Sequence, residues 1–140
     1  MNAVQTAYRL RVLFEQKITA EYFNSFKGHF GRVQVEVLSY LYEREHARVQ
    51  ELANALNIPK QHASKIMIRL EEQNLVCKQS DPNDKRSTLF FLSDDGIQLM
   101  EKHLAVSNDA FGERMEKLSA DEQQKLISSM ELLSSILEHF

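Results

Sequence analysis

The sequence predicts a mainly α-helical chain with one small antiparallel β-hairpin wing: a winged helix-turn-helix set between N- and C-terminal helices. Three observations carry this expectation. Residues 75–96, LVCKQSDPNDKRSTLFFLSDDG, read as an apolar strand, a polar turn with Lys85 and Arg86 at its tip, a second apolar strand and a helix start. Two short amphipathic segments, 48–56 and 60–73, precede it and are separated by a turn of about four residues, the layout of a helix-turn-helix. Beyond it, helical periodicity runs to an apolar C-terminal face that reaches Phe140.

With 140 residues, 43% apolar and 26% charged side chains and no Trp, the chain suits one domain with a real core. Arg9, Arg11, Glu15 and Lys17 interrupt the N-terminal region, and no stretch approaches the roughly 20 apolar residues of a membrane span, so a cytoplasmic protein without a membrane partner is expected. The single cysteine, Cys77, cannot form an internal disulfide or by itself a metal site, and its strand setting suggests a small core side chain. The formal net charge of −3 argues against a chain that coats nucleic acid non-specifically. Its distribution matters more than its sum: residues 48–87 hold seven Lys or Arg and five Asp or Glu, a balance of +2, leaving ten basic and fifteen acidic residues, −5, elsewhere. A mildly basic centre between acidic arms orients a molecule on a polyanion.

The elements follow in order. Val4, Ala7, Arg11, Phe14, Ile18 and Tyr22 form a loose helical stripe up to Phe26, where Lys27, Gly28 and Gly31 break it. Residues 32–43 are ambiguous: Val33, Val35 and Val37 alternate like a strand, while Val37, Leu38 and Leu41 recur like a helix, and helix is favoured. Val49, Leu52, Ala53 and Leu56 are spaced i, i+3, i+4, i+7, and Asn57 suits a left-handed turn. Ala63, Ile66, Met67 and Leu70 repeat that spacing, with Asn74 at the helix end. After the hairpin, Ser93 caps a helix through Ile97, Met100, Leu104, Phe111, Met115 and Leu118, weakened at Gly112 by roughly 1 kcal/mol relative to Ala. The last helix opens on a capping box from Ser119 to Glu122 and carries Leu126, Ile127, Met130, Leu133, Ile136, Leu137 and Phe140. So apolar a terminus is expected to be buried against a second copy of the chain. The expected division is 1–28, an N-terminal helix; 29–95, the winged helix-turn-helix as a DNA-binding lobe; and 96–140, the C-terminal helices of one integrated domain.

On segment 60–73 the apolar set takes one face and leaves Lys60, Gln61, His62, Ser64, Lys65 and Arg69 on the others. These donors and acceptors suit base edges and phosphates and gather toward the N-terminal half, where a recognition helix meets the major groove. Lys60, Gln61, His62, Ser64 and Lys65 are expected in the groove, with Arg69 and Arg48 at phosphates. Any amphipathic helix has a polar face, so the wing decides the matter. Pro82 and Asn83 make its turn, Lys85 and Arg86 supply charge, and Arg86 suits a minor groove, where narrowing concentrates negative potential. Asp84 pointing outward would meet phosphate, so it is expected to hold Arg86 by a charge-assisted hydrogen bond.

DPNDKRSTLFFLSDDG resembles the wing signature of the MarR family of bacterial transcription regulators, Asp-Pro-x-Asp-Arg/Lys-Arg, an alternating strand, then Leu-Thr-x-x-Gly. LEEQNLV is similar to that family's Leu-Glu-x-x-Gly-Leu-Val/Ile, and VQVEVLSYL to its Gln-x-x-x-Leu-x-x-Leu, with Gln34 and Leu38 matching. The motifs span residues 30–96. The resemblance implies a homodimer in which 1–28 and 96–140 are interlocked N- and C-terminal dimerisation helices, a pseudopalindromic double-stranded operator, Asp84 and Arg86 as a wing pair, and repression relieved by a small aromatic or phenolic ligand, an oxidant or a metal. Departures are local: Pro59 replaces a Ser or Thr cap but presets φ, Asn74 replaces a Gly, and Ser93 replaces a Thr. The first helix lacks the cysteine of the oxidant-sensing branch.

Catalysis finds little support. The chain has no Gly-rich phosphate loop, no His-Glu-x-x-His and no nucleophile elbow, and Glu71, Glu72, Asp94 and Asp95 sit at helix ends where solvated charge is routine. The five histidines lack ligand spacing, so neither cofactor nor metal is expected. Tyr8, Phe14, Phe23, Phe26, Phe30 and Tyr40 are the aromatic residues available to line an effector cleft, or equally to fill a core. The alternative to a DNA-binding regulator is a winged-helix module that binds protein. It would not need the cationic wing tip.

Overall fold

The N-terminal stripe folds as α1 (Ala3–Phe14) and α2 (Ala20–Ser25), joined through a π-helical turn at Glu15–Thr19, in a computed structural model that describes residues 1–140. Asn2 starts α1 with a reciprocal cap: its side chain accepts from the Gln5 N–H at 2.9 Å, while Gln5 Oε1 accepts from the Asn2 N–H at 3.0 Å. The π turn changes the local hydrogen-bond pattern, and the carbonyl of Lys17 within it accepts from Arg114 Nη1 at 2.5 Å. The expected single stripe is thus one helical rod with an inserted π turn, braced from 97 residues away. Past Phe26 the chain turns at Gly28, whose φ of +87° favours a residue without a Cβ.

The ambiguous segment is a helix, α3 (Arg32–Arg44), which buries Val35, Val37, Leu38 and Leu41. Burial of Val37 with Leu38 and Leu41 is what the helical spacing requires and the strand alternation does not. The helix-turn-helix comprises α4 (Val49–Leu56) and α5 (Lys60–Glu72). Asn57 lies at φ 54°, ψ 48° and Asn74 at φ 66°, the left-handed positions their side chains tolerate. Strands β1 (Val76–Asp81) and β2 (Asp84–Leu92) pair antiparallel from Val76 with Leu92 to Asp81 with Asp84, and Pro82 and Asn83 form the turn. Ala47 adds a bridge to Phe90 through two 2.9 Å backbone hydrogen bonds, so the strip of chain before α4 anchors the hairpin's base.

Ser93 accepts from the Gly96 N–H at 3.0 Å and opens α6 (Asp94–Glu116); Ser119 and Glu122 cap α7 (Ala120–Leu137) reciprocally. Gly96 is obligatory at its site, because a Cβ there would stand 2.2 Å from the Leu75 carbonyl oxygen. No helix is long and apolar enough to cross a membrane.

The core lies wholly inside the central segment. All 20 buried residues fall between Phe26 and His103, with Leu38, Leu41, Leu52, Met67, Leu70 and Met100 at its centre, whereas α1 and α7 bury none. Cys77 departs from its expected place: it is half-buried on β1 and lines a surface groove with Asn74 and Phe91. The pleat explains this, because Val76 takes the core side and sends its neighbour to the other face.

Tyr22, Phe26 and Phe30 run edge to face along the seam between α2 and the lobe, and Phe26 stacks on His103 with ring centroids 3.7 Å apart. The aromatic set expected to line one cleft is dispersed. Phe26 is core, Phe23, Phe30 and Tyr40 pack against that core, and Tyr8 and Phe14 lie exposed on α1.

Candidate nucleic-acid interface

Burial of Ala63, Ile66, Met67 and Leu70 fixes how α5 faces the solvent. At 3.6 residues per turn, the line opposite those four passes through Gln61, Lys65, Ile68 and Glu72, with Lys60 and Ser64 on one flank and His62 and Arg69 on the other. All eight are exposed except Ser64, which is half-buried. The sequence pattern thus places Lys60, Gln61, His62, Ser64, Lys65 and Arg69 on one accessible face, and Ile68 joins them unexpectedly. Its signal was available: Ile68 falls seven residues after Gln61, on the polar stripe rather than the apolar one.

The start of α5 is electrostatically bare. Pro59 offers no side-chain cap and no acidic residue lies in the first turn, unlike α4, α6 and α7. The positive end of the helix dipole is therefore left for an external anion, in the midst of Lys60, Gln61 and His62.

The wing tip carries Asp84, Lys85 and Arg86, all exposed. Asp84 does hold Arg86, but through the backbone: its Oδ1 accepts from the Arg86 N–H at 3.0 Å, a tight turn closure, and the two side chains form no ion pair. This corrects the expected wing pair and leaves the Arg86 guanidinium free to project.

The ion pair of the wing lies instead at its base. Asp81, 3% exposed, accepts from Arg48 Nη2 through one oxygen and from the Asn83 N–H at 2.9 Å through the other. That backbone N–H, and then the guanidinium, hold its carboxyl below the usual carboxylate range against the opposing effect of burial. Arg48 Nε reaches Ser87 Oγ at 3.2 Å, and Nη1 reaches Glu51 Oε1 at 3.1 Å. Expected at a phosphate, Arg48 is engaged by three protein partners. It ties the N-terminus of α4 to both strands of the hairpin, and so sets the wing against the helix-turn-helix.

Six of the seventeen Lys and Arg side chains are neutralised by carboxylates. Arg11, Arg32, Arg48, Lys78, Arg114 and Lys125 all meet carboxylates. Eleven meet none, and five of these stand together on the lobe's projecting elements: Lys60, Lys65 and Arg69 on α5, and Lys85 and Arg86 on the wing. Five unneutralised cations on two projecting elements form a surface for a polyanion. No cluster of three or more His, Cys, Asp or Glu side chains gathers to hold a metal ion.

Known proteins share this architecture. Residues 31–88 match the MarR family. The chain is similar to the HTH-type transcriptional regulator YkoM of Bacillus subtilis, with 26% identity over 121 residues covering 86% of this chain and 79% of that protein. Its fold is similar to that of the transcriptional regulator Tm0710 from Thermotoga maritima (TM-score 0.77, 18% identity, 96% of each chain). It is also similar to a mutant of MepR from Staphylococcus aureus bound to an oligodeoxyribonucleotide (TM-score 0.65, 20% identity, 94% of this chain and 97% of that one). The matched segment holds both the helix-turn-helix and the wing tip, and the likeness in fold extends to the arms: over residues 31–88 the chain is similar to the MarR family, and its central lobe is a winged helix-turn-helix.

Proposed function

We propose that this chain is a MarR-family transcription regulator that binds a pseudopalindromic double-stranded operator as a homodimer in the cytoplasm, represses transcription from it, and is released by a small ligand. The observation that carries sequence-specific binding is the set of unpaired cations on α5 and the wing tip, beside a line of side chains able to address base edges. Lys60, Gln61, His62, Ser64 and Lys65 take the major groove in this reading, Arg69 a phosphate, and Lys85 and Arg86 the neighbouring minor groove.

Homodimerisation is supported by what the single chain leaves in water. Its accessible surface is 10132 Å² at 16.3 kDa, against about 7,500 Å² for a compact monomer of that mass. The excess is concentrated on the arms, where Val4, Tyr8, Leu132, Ile136, Leu137 and Phe140 are more than half exposed. Between α1, α6 and α7 an apolar hollow of about 350 Å³ lies open, lined by Leu10, Leu13, Phe14, Phe111, Leu118 and Leu126. A second copy filling these faces fits the division into residues 1–28 and 96–140 as dimerisation arms and 29–95 as the lobe. Two-fold symmetry then matches a pseudopalindrome.

For the ligand we favour a cavity of about 500 Å³ where the ends of α2 and α5 meet α6, lined by Ser25, His29, Phe30, Gln73, Lys102 and His103. Ser25 donates its hydroxyl proton to the Tyr22 carbonyl at 2.6 Å, so His103 Nδ1, 2.7 Å from Ser25 Oγ, is the donor of that pair and Nε2 is left to accept. A small aromatic acid or phenol suits Phe30, Lys102 and that acceptor, and it would press on lobe and arms together.

Footprinting and titration on the duplex upstream of the protein's own gene test the reading. Paired protected half-sites about one helical turn apart, and affinity that falls steeply with salt, are expected. Weak binding without salt dependence or symmetry would reduce the chain to a winged-helix module for protein partners.

A further inference from the structure

Among the side chains on the outward line of α5, Ile68 alone can make no hydrogen bond. It is 53% exposed, the most exposed large apolar side chain anywhere between Phe26 and His103. It lies off the arms, whose apolar faces have a second copy to cover them, and is surrounded by Ser64, Lys65, Arg69 and Glu72. An isoleucine there contributes nothing to phosphate binding. In the major groove, however, one base-edge group rewards apolar contact, the C5-methyl of thymine.

Resting on the reading of α5 as the recognition helix, we infer that Ile68 determines specificity by packing on one thymine methyl in each half-site. Three features support it. Ile68 is β-branched and therefore held to one strongly preferred χ1 rotamer in a helix, so little freedom is lost on contact. It lies seven residues beyond Gln61, about 10 Å along the helix axis, so the two side chains address different base pairs within a groove about 12 Å wide. Glu72, the next residue on the line, is repelled by phosphate and accepts no phosphate contact, which makes Ile68 the last member able to lie against the duplex.

The test uses the full chain and its preferred site, selected from a randomised duplex pool. Each thymine of that site is replaced singly by deoxyuridine, which removes only the methyl group, and affinity is measured for the wild type and for Ile68→Ala. One replacement per half-site is expected to weaken wild-type binding about fourfold, the worth of one buried methyl, while Ile68→Ala binds both duplexes alike. Because Ile68 is exposed, the variant is expected to keep its helical circular dichroism and its affinity for non-specific duplex. A selected site with no methyl-sensitive position, or a sensitivity that persists in Ile68→Ala, overturns this inference alone. Failure to select any sequence overturns the operator reading and this inference with it.

Discussion

Arg48 grips the buried carboxylate of Asp81 across 33 residues of sequence, joining the start of α4 to the end of β1. The two ends of this pair differ in burial, with Asp81 3% exposed and the Arg48 side chain 43% exposed. Removing the guanidinium strands a buried charge, whereas removing the charge of Asp81 leaves an arginine that water can solvate. Arg48→Ala is therefore expected to lower the melting temperature more than Asp81→Asn. Asp81→Asn removes negative charge near DNA, and simple electrostatics would tighten binding; a loosened wing is expected to weaken it instead, measurable by fluorescence anisotropy.

The same pair has a pH signature. The Asp81 carboxyl titrates below its ordinary value, so the stability it contributes is complete above that value and is lost as pH falls through the lower, folded one. The gap in melting temperature between wild type and Asp81→Asn should be constant near neutrality and shrink below about pH 4. His103, whose titration is lowered by burial and then by Lys102 and His29, acts in a separate window. Its contribution is complete above about pH 6.5 and lost as pH falls from there through the folded value. Replacing it by Gln should flatten the stability profile between pH 7 and pH 5.

Salt dependence measures how many free cations reach phosphate. Arg86→Ala removes one cation from each lobe, and the slope of log K against log salt should fall by about 1.8 for the dimer. Arg32→Ala serves as the control, since that cation already has Glu36 as a partner at 3.2 Å. An unchanged slope for Arg86→Ala would take the wing tip off the DNA.

Leu137, 55% exposed on α7, should be dispensable to a lone chain and essential to a pair. Leu137→Glu is expected to shift sedimentation equilibrium from dimer toward monomer and to weaken binding to a two-half-site duplex far more than to a single half-site. A variant that stays dimeric would remove α7 from the interface.

Two glycines should answer oppositely to alanine. Gly96→Ala forces a Cβ onto the Leu75 carbonyl and is expected to cost about 1–3 kcal/mol or more, since backbone must move. A Cβ at Gly112, within α6, would meet nothing within 4 Å, so Gly112→Ala is expected to add about 0.5–1 kcal/mol. Thermal melts of the two variants check both signs.

The sequence by itself determined the local grammar: the left-handed Asn57 and Asn74, the caps at Ser93 and Ser119, the Pro82–Asn83 turn, and the polar faces that hold the expected interface residues. Each of these depends on groups within a few residues of one another, so spacing alone reveals it. Tertiary structure decided what long-range partners control. It placed a π turn in the first rod, where Arg114 supplies a donor from 97 residues away, and drew Arg48 from an expected phosphate onto Asp81. Such outcomes turn on which faces meet when the helices pack, a matter of burial and charge pairing between distant segments that no local pattern encodes.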